Sequence, residues 1–294
     1  MTLYTQQEAN VRKTWLLFAV FGGVVIGAGF LFAQIYGDPS ILVIAVLVSA
    51  VTSIASYWYS DTIVLKMANA EPVSRESAPE LYRVVENLAI TAGLPMPKLY
   101  LIRDASPNAF ATGRTPEQAV VAVTEGLLER LDRTELEGVI AHELAHIGNR
   151  DMLVSTVAVI LVGCIALASD LFMRTIWRGR RGSGRDGSGL LLIIGIAFAI
   201  LAPIAATLLR LAISRKREFL ADATGALLTR YPEGLARALE KIAGDPREVA
   251  GASNAMAHLW ISSPFKKSGG SWLHALFLTH PPTVERIEAL RHMG

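Results

Sequence analysis

One cysteine in 294 residues, Cys164, leaves no intramolecular disulfide to staple a fold and no thiolate cluster to hold a metal. Charge is scarce as well. Asp, Glu, Lys and Arg make up 18% of the chain and nearly cancel, to +2 at neutral pH, which is too little to draw in nucleic acid. Four long stretches carry no charge at all: Thr14–Tyr36, Ile41–Ser60, Met152–Ser169 and Gly187–Leu209. They also hold no histidine, which argues against a transporter that moves ions along intramembrane charges.

What fills those stretches is apolar. The chain is 52% hydrophobic with a mean hydropathy of +0.39, outside the soluble range. A bilayer core takes about 20 apolar residues in a helix, so the four runs predict four transmembrane helices. Residues 1–13 end in Arg12-Lys13 and resemble the n-region of a signal peptide, but the run that follows is too long for an h-region and reads as a retained anchor. Residues 14–60 then form a transmembrane hairpin with spans at about 14–36 and 41–60. Its turn, Gly37-Asp38-Pro39-Ser40, lacks Lys and Arg and faces away from the cytoplasm by the positive-inside rule, leaving both ends cytoplasmic. A second apolar hairpin occupies 152–213, with spans at about 152–173 and 187–209. Between them Arg174, Arg178, Arg180, Arg181 and Arg185 lie among glycines and read as a flexible basic loop.

Two stretches, 61–151 and 214–294, have the composition of one water-facing domain interrupted by that hairpin. In the first, Ser77, Pro79 and Glu80 predict a helix start, Leu81, Val84, Val85, Leu88 and Ala89 its buried face, and Gly93 its end. Lys98–Ile102 and Ala119–Thr124 read as strands. Residues 107–113 between them are a candidate third strand. There the small Ala109 and Ala111 would leave room for another backbone, so that Asn108, Ala109, Phe110 and Ala111 could hold an extended polypeptide along an exposed edge. Downstream, helical patterning covers Arg215–Leu228, Pro232–Ala243 and Thr283–His292, while 266–271 reads as a mobile loop.

The stretch that carries chemistry is His142-Glu143-Leu144-Ala145-His146. Residues four apart share one helix face, so both imidazoles can reach one metal ion, and Zn2+ suits them. Glu143 lies about 100° further round, placed to act as a general base toward a water at that metal. Thr134 and Glu137 predict a capping box for this helix. Catalytic zinc takes three protein ligands, and its histidines are steadied by outer carboxylates. Glu218 and Asp222, again four apart, are the candidates: Glu218 for the third ligand, Asp222 for the outer support. His280, on the rigid turn before Pro281-Pro282, is a candidate for stabilising developing oxyanion charge. His258, His274 and His292 read as surface or interface residues without a role.

The N-terminal hairpin, residues 108–113, Glu135 through Asp151, Arg217 through Asp222 and Thr279-His280-Pro281 together resemble the HtpX-type membrane zinc metallopeptidases, relatives of the CAAX prenyl endopeptidases. The resemblance spans nearly the whole chain. It implies a predominantly α membrane protein bearing a zincin-like α+β domain, a small β-sheet plus active-site helices. It implies one Zn2+ on His142, His146 and Glu218, with Glu143 as base and Asp222 supporting a ligand. It also implies degradation of damaged or misfolded membrane proteins in a bacterial or archaeal plasma membrane, multi-pass, with the active site facing the cytoplasm. Its partners would be unfolded or membrane polypeptides and the lipid bilayer, with no nucleic acid. A metzincin would continue with Gly at 149 and His at 152, where this chain has Asn149 and Met152. A CAAX-type endopeptidase would enclose its site in more membrane helices. A non-catalytic zinc scaffold or chaperone-like binder would close the fourth metal position with a protein ligand.

Overall fold

The computed structural model of the chain describes residues 3–179, 215–250, 252, 256–265 and 281–293. Two long helices open it, α1 (Leu3–Tyr36) and α2 (Ser40–Trp58), folded back on each other at Gly37, whose φ of +66° suits a residue without a Cβ. The Asp38 carboxylate accepts from the Ser40 N–H at 2.9 Å and secures the turn. Within the pair, Glu8–Gln34 and Ser40–Trp58 are long and apolar enough to cross a membrane. They also behave as lipid-facing helices do: Leu31, Val43, Leu47, Val51 and Ile54 stand exposed, which water would penalise and acyl chains would not.

After α3 (Ser60–Met67) comes a mixed four-stranded sheet built from β1 (Ala70–Pro72), β2 (Lys98–Ile102), β3 (Ala109–Thr112) and β4 (Val120–Thr124), in the order β1-β2-β4-β3. β2 and β4 run parallel; β1 and β3 pair antiparallel at the two edges. Both faces are covered, which is why Val120–Val123 is a continuous apolar run rather than an alternating one. Leu99, Val121, Val123, Ala109 and Ala111 face a core shared with α4 (Pro79–Ala92), the short α5 (Glu125–Arg130), α6 (Arg133–Gly148) and the C-terminal helices. Ile102, Val120, Ala122 and Phe110 face a second core with Leu17 and Phe21 of α1 and the start of α7 (Met152–Gly179). The sheet is thus the layer between the long N-terminal helices and α4, α6 and the C-terminal helices. Each fully buried valine or leucine on it contributes about 1.5–3 kcal/mol.

Two helix starts differ from expectation. α4 begins at Pro79 as foreseen, but Ala78 is its cap without a side-chain bond, because the Ser77 hydroxyl is engaged with Ser74. The box on α6 is made by Asp132 and Glu135, two residues before the expected Thr134 and Glu137; Thr134 instead donates to Asp132 at 2.7 Å.

The third apolar run is helical, as α7, and leaves α6 at an angle of 86°. Its first half differs from α1 and α2: Val154, Val157, Ala158, Val159 and Leu161 are buried in protein, beneath the sheet. Among the described residues two helices can span, or three if α6 and α7 are taken together. Arg174 and Arg178, expected in the basic loop, continue α7 as helix instead. The fourth run at 187–209, Arg180, Arg181 and Arg185 of that loop, the 266–271 loop, His274 and His280 lie outside the described residues. After this gap α8 (Arg215–Thr229), α9 (Pro232–Gly244) and, past a second gap, α10 (Thr283–Arg291) pack against α6 and one another.

Candidate metal centre

α6 is enclosed along almost its whole length, with every residue from Gly138 to Ala145 buried. A helix buried on all sides can hold polar side chains only if each has a partner, and His142, Glu143 and His146 all do. α8 lies against it closely enough that a Cβ on Gly225 would come within 3.0 Å of the His142 backbone nitrogen, so the absent side chain sets the approach of the two helices. That approach brings Glu218 to the histidines. The two Nε2 atoms are 3.1 Å apart, and the Glu218 carboxylate oxygens lie 3.9 Å from His142 Nε2 and 3.7 Å from His146 Nε2. Two nitrogens bound tetrahedrally to one zinc at its usual bond length stand about 3.3 Å apart. The three ligand atoms, all within 4.8 Å of one another, therefore fit one ion, and two imidazoles with a carboxylate are the donor set zinc takes.

Outer partners fix which nitrogen each ring offers. His142 Nδ1 is 2.9 Å from Asp222, leaving Nε2 for the metal. Burial holds this imidazole below its ordinary pKa against the pull of Asp222, which keeps it neutral as a ligand must be. His146 Nδ1 lies 3.2 Å from both oxygens of Asp151, with the same effect on its tautomer. Burial opposes charge on this ring too, but Asp151, followed by Glu218 and Glu143, carries its pKa up to about 10 in the metal-free chain. Two imidazoles 3.1 Å apart cannot both be charged; the proton goes to the ring facing more carboxylates.

Glu143 has a carboxyl pushed up to about 7, chiefly by burial and further by the charge of Glu218, against His146, Arg286 and a hydrogen bond from the Ala111 N–H. A carboxylate that exchanges its proton near neutral pH is suited to general base work.

Arg286 was not singled out from sequence. It reaches in from α10, 2% exposed, and its guanidinium contacts Asp222 at 2.9 and 2.7 Å and the Ile261 carbonyl at 2.8 Å. It stands 3.8 Å from Glu218 and 3.4 Å from the His142 ring nitrogens. Burial pushes the Asp222 carboxyl up, but Arg286 and His142 outweigh it and bring it down to about 2. Asp151, to which the sequence reading gives no role, and His258, which reads there as a surface or interface residue, both belong to the site. The structure puts His258 in the wall of the site, buried, its Nε2 donating to the Ser155 carbonyl at 3.1 Å.

The candidate substrate strand lies at the sheet edge, but its outer side is not bare. Ile261 N–H donates to the Ala109 carbonyl at 2.9 Å, the Asn108 side chain donates to the Ser262 carbonyl at 3.0 Å, and Phe110 is buried edge-on against Trp260. Of the four candidates only Ala111 lines the cavity with His142, Glu143, His146 and Glu218. The cavity holds about 30 Å3, room for an ion and a water.

A buried helix offering two histidines, a glutamate between them poised near neutrality and a third ligand from a second helix define a metallopeptidase centre, here on a chain with membrane-length apolar helices. The family model of Peptidase family M48 matches residues 75–294, and the chain belongs to that family. It is 46% identical over 293 residues to a "Protease HtpX homolog" of Tropheryma whipplei (strain Twist), covering 99% of each chain. To the protein of the same name in Pyrococcus furiosus it is 49% identical over 285 residues, 96% of this chain and 95% of that one. Among solved structures, a crystal structure of S. mikatae Ste24p matches 98% of this chain and 66% of its own with a TM-score of 0.50 and 19% identity, a likeness of fold. The protein is a membrane metalloprotease.

Proposed function

We propose that the chain is a zinc-dependent endopeptidase that cleaves unfolded or damaged membrane polypeptides at the cytoplasmic face of a bacterial or archaeal plasma membrane. Its catalytic domain is assembled from residues 61–151 and 214–294, and the hairpin at 152–213 crosses the membrane between them. The observation that carries this reading is the convergence of His142 Nε2, His146 Nε2 and a Glu218 oxygen on one point, with Glu143 beside it. One zinc ion held there would supply Lewis acidity, acidifying a water and polarising the scissile carbonyl.

The remaining work falls to side chains. Glu143 accepts a proton from the attacking water and returns it to the leaving amine, which its near-neutral pKa permits in both directions. Asp222 and Asp151 hold the two imidazoles in the tautomer that presents Nε2. Arg286 neutralises the buried charge of Asp222 and part of that of Glu218. Ala111 is the part of β3 left to meet a substrate backbone, and His280 shares oxyanion charge.

Detergent-purified enzyme should cleave an unfolded membrane protein, lose that activity to a chelator and regain it with zinc. Glu143→Gln should keep the zinc and lose roughly a thousandfold or more in kcat. Chelator-insensitive cleavage, or full turnover by zinc-loaded Glu143→Gln, would remove the assignment.

A further inference from the structure

α1 is 34 residues long, about 51 Å at the helical rise, against a hydrocarbon core of about 30 Å. The excess leaves its charged first turns, with Glu8, Arg12 and Lys13, at the membrane surface, where they meet the end of α6 and the start of α8. Asn10 lies there and is 3% exposed. A buried amide needs partners, and those of Asn10 sit on two separate elements. Nδ2 donates at 3.3 Å to the carbonyl of Asn149, which caps α6 three residues beyond His146. Oδ1 accepts at 3.5 Å from Arg217 on α8, the neighbour of Glu218. Lys13, one turn along α1, is within electrostatic reach of Asp151 and Arg217. Asn10 heads a stripe with Thr14, Leu17 and Phe21, all buried, which presses α1 onto the protein rather than into lipid.

The two ligand-bearing helices are tied together at one end of the site by Asp222 and Arg286, beside His142. At the other end, where His146 and Glu218 approach, the amide of the membrane anchor bridges the two helices, beside the attraction of Arg217 for Asp151. We infer that Asn10 is a positioning residue of the metal centre: it sets the spacing between the end of α6 and the start of α8, so that the site is fully formed only with the anchor docked. This inference rests on the metallopeptidase reading for the identity of the ligands. It makes α1 more than a tether, because a chain whose anchor is not in place would hold its third ligand poorly.

The test uses full-length enzyme in detergent micelles and the variants Asn10→Leu, which keeps the volume and removes both bonds, Asn10→Asp, which keeps the acceptor toward Arg217 and loses the donor to Asn149, and Thr14→Val, which alters the same stripe without touching the bridge. Zinc affinity is read by competition with a chromophoric chelator and needs no proteolysis. Asn10→Leu should bind zinc about tenfold more weakly, at the low end of the range for loss of a ligand's outer support. Its kcat at saturating zinc should fall while KM stays within about twofold, and Asn10→Asp, which cannot donate to the Asn149 carbonyl, should weaken zinc binding as well. Parental zinc affinity in Asn10→Leu or in Asn10→Asp would overturn the inference, as would an equal loss in Thr14→Val. Should Asn10→Leu not fold, Arg217→Gln breaks the same contact from α8 and is read by the same outcomes. A parent that binds zinc normally but cleaves nothing would remove the peptidase reading and leave the affinity comparison standing.

Discussion

Arg286 shows what a single side chain does when it is buried between two carboxylates and an imidazole. Taking one partner from a buried ion pair costs about 3–5 kcal/mol, because the other is left charged and dry. Arg286→Met should therefore destabilise the protein strongly, and Arg286→Met/Asp222→Asn should recover part of the loss. Thermal melts of the two singles and the double in detergent give the coupling directly; additive losses would show that the pair is not a unit. His146 makes the second residue-scale prediction. Its metal-free pKa is raised from 6.5 to about 10, so at pH 8 the ring still carries a proton that a metal must displace, while Glu143, at about 7, is already mostly ionised. The raised value also means that His146 stabilises the metal-free fold fully below pH 6.5 and loses that contribution as pH climbs through about 10. Zinc binding at pH 8 should release about one proton, and Asp151→Asn, which removes the leading charge that raises this pKa, should release fewer. Calorimetry in buffers of different ionisation enthalpy counts them, and equal counts for parent and variant would refute this account of His146.

At the scale of elements, the contact between α6 and α8 is the one on which the site depends. A Cβ at Gly225 would meet His142 N at 3.0 Å and Ala141 C at 3.2 Å. Gly225→Ala should push the helices apart by a few tenths of an ångström. Overpacking of about 1–3 kcal/mol then outweighs the helix-propensity gain of up to about 1 kcal/mol. Lower melting temperature together with weaker zinc binding is expected, and unchanged affinity would show that Glu218 is placed by something other than this approach. Both helices were legible in the sequence because a four-residue spacing is a local fact: His142 with His146, Glu218 with Asp222. Arg286 was not, because Val284-Glu285-Arg286-Ile287-Glu288 looks like a solvated helix face, and its partners are 64 and 144 positions away. The cap of α6 was misplaced by two because Asp132/Glu135 and Thr134/Glu137 fit the same pattern; extended backbone at Asp132 decides it. β1 is three residues, one a proline, mostly exposed, and leaves no periodic signal.

The whole molecule poses a question of sides. His146 and Glu218 meet at one point, so the chain between them leaves and returns on the same side of the membrane, which permits two crossings or none and forbids one. The basic residues Arg174, Arg178, Arg180, Arg181 and Arg185 favour none, since two crossings would export them against the positive-inside rule. The burial of Val154 and of residues 156–161 in protein means that the first half of α7 does not itself need lipid. That leaves its second half and the uncharged run at 187–209, whose large aliphatic side chains each cost about 1.5–3 kcal/mol if left in water. Arginines this late in the chain oppose export less strongly, because the bias acts most on early helices. Two crossings are therefore expected, with α7 entering the bilayer only after its protein-covered first turns. In a Cys164→Ser background, single cysteines at Ser183 or Ser188 should react with a membrane-impermeant thiol reagent in intact cells, as a cysteine at Ser40 should. Labelling of the Ser40 position in intact cells, with 183 and 188 reacting only after lysis, would place the arginine loop inside and reduce the membrane part of the protein to its first hairpin.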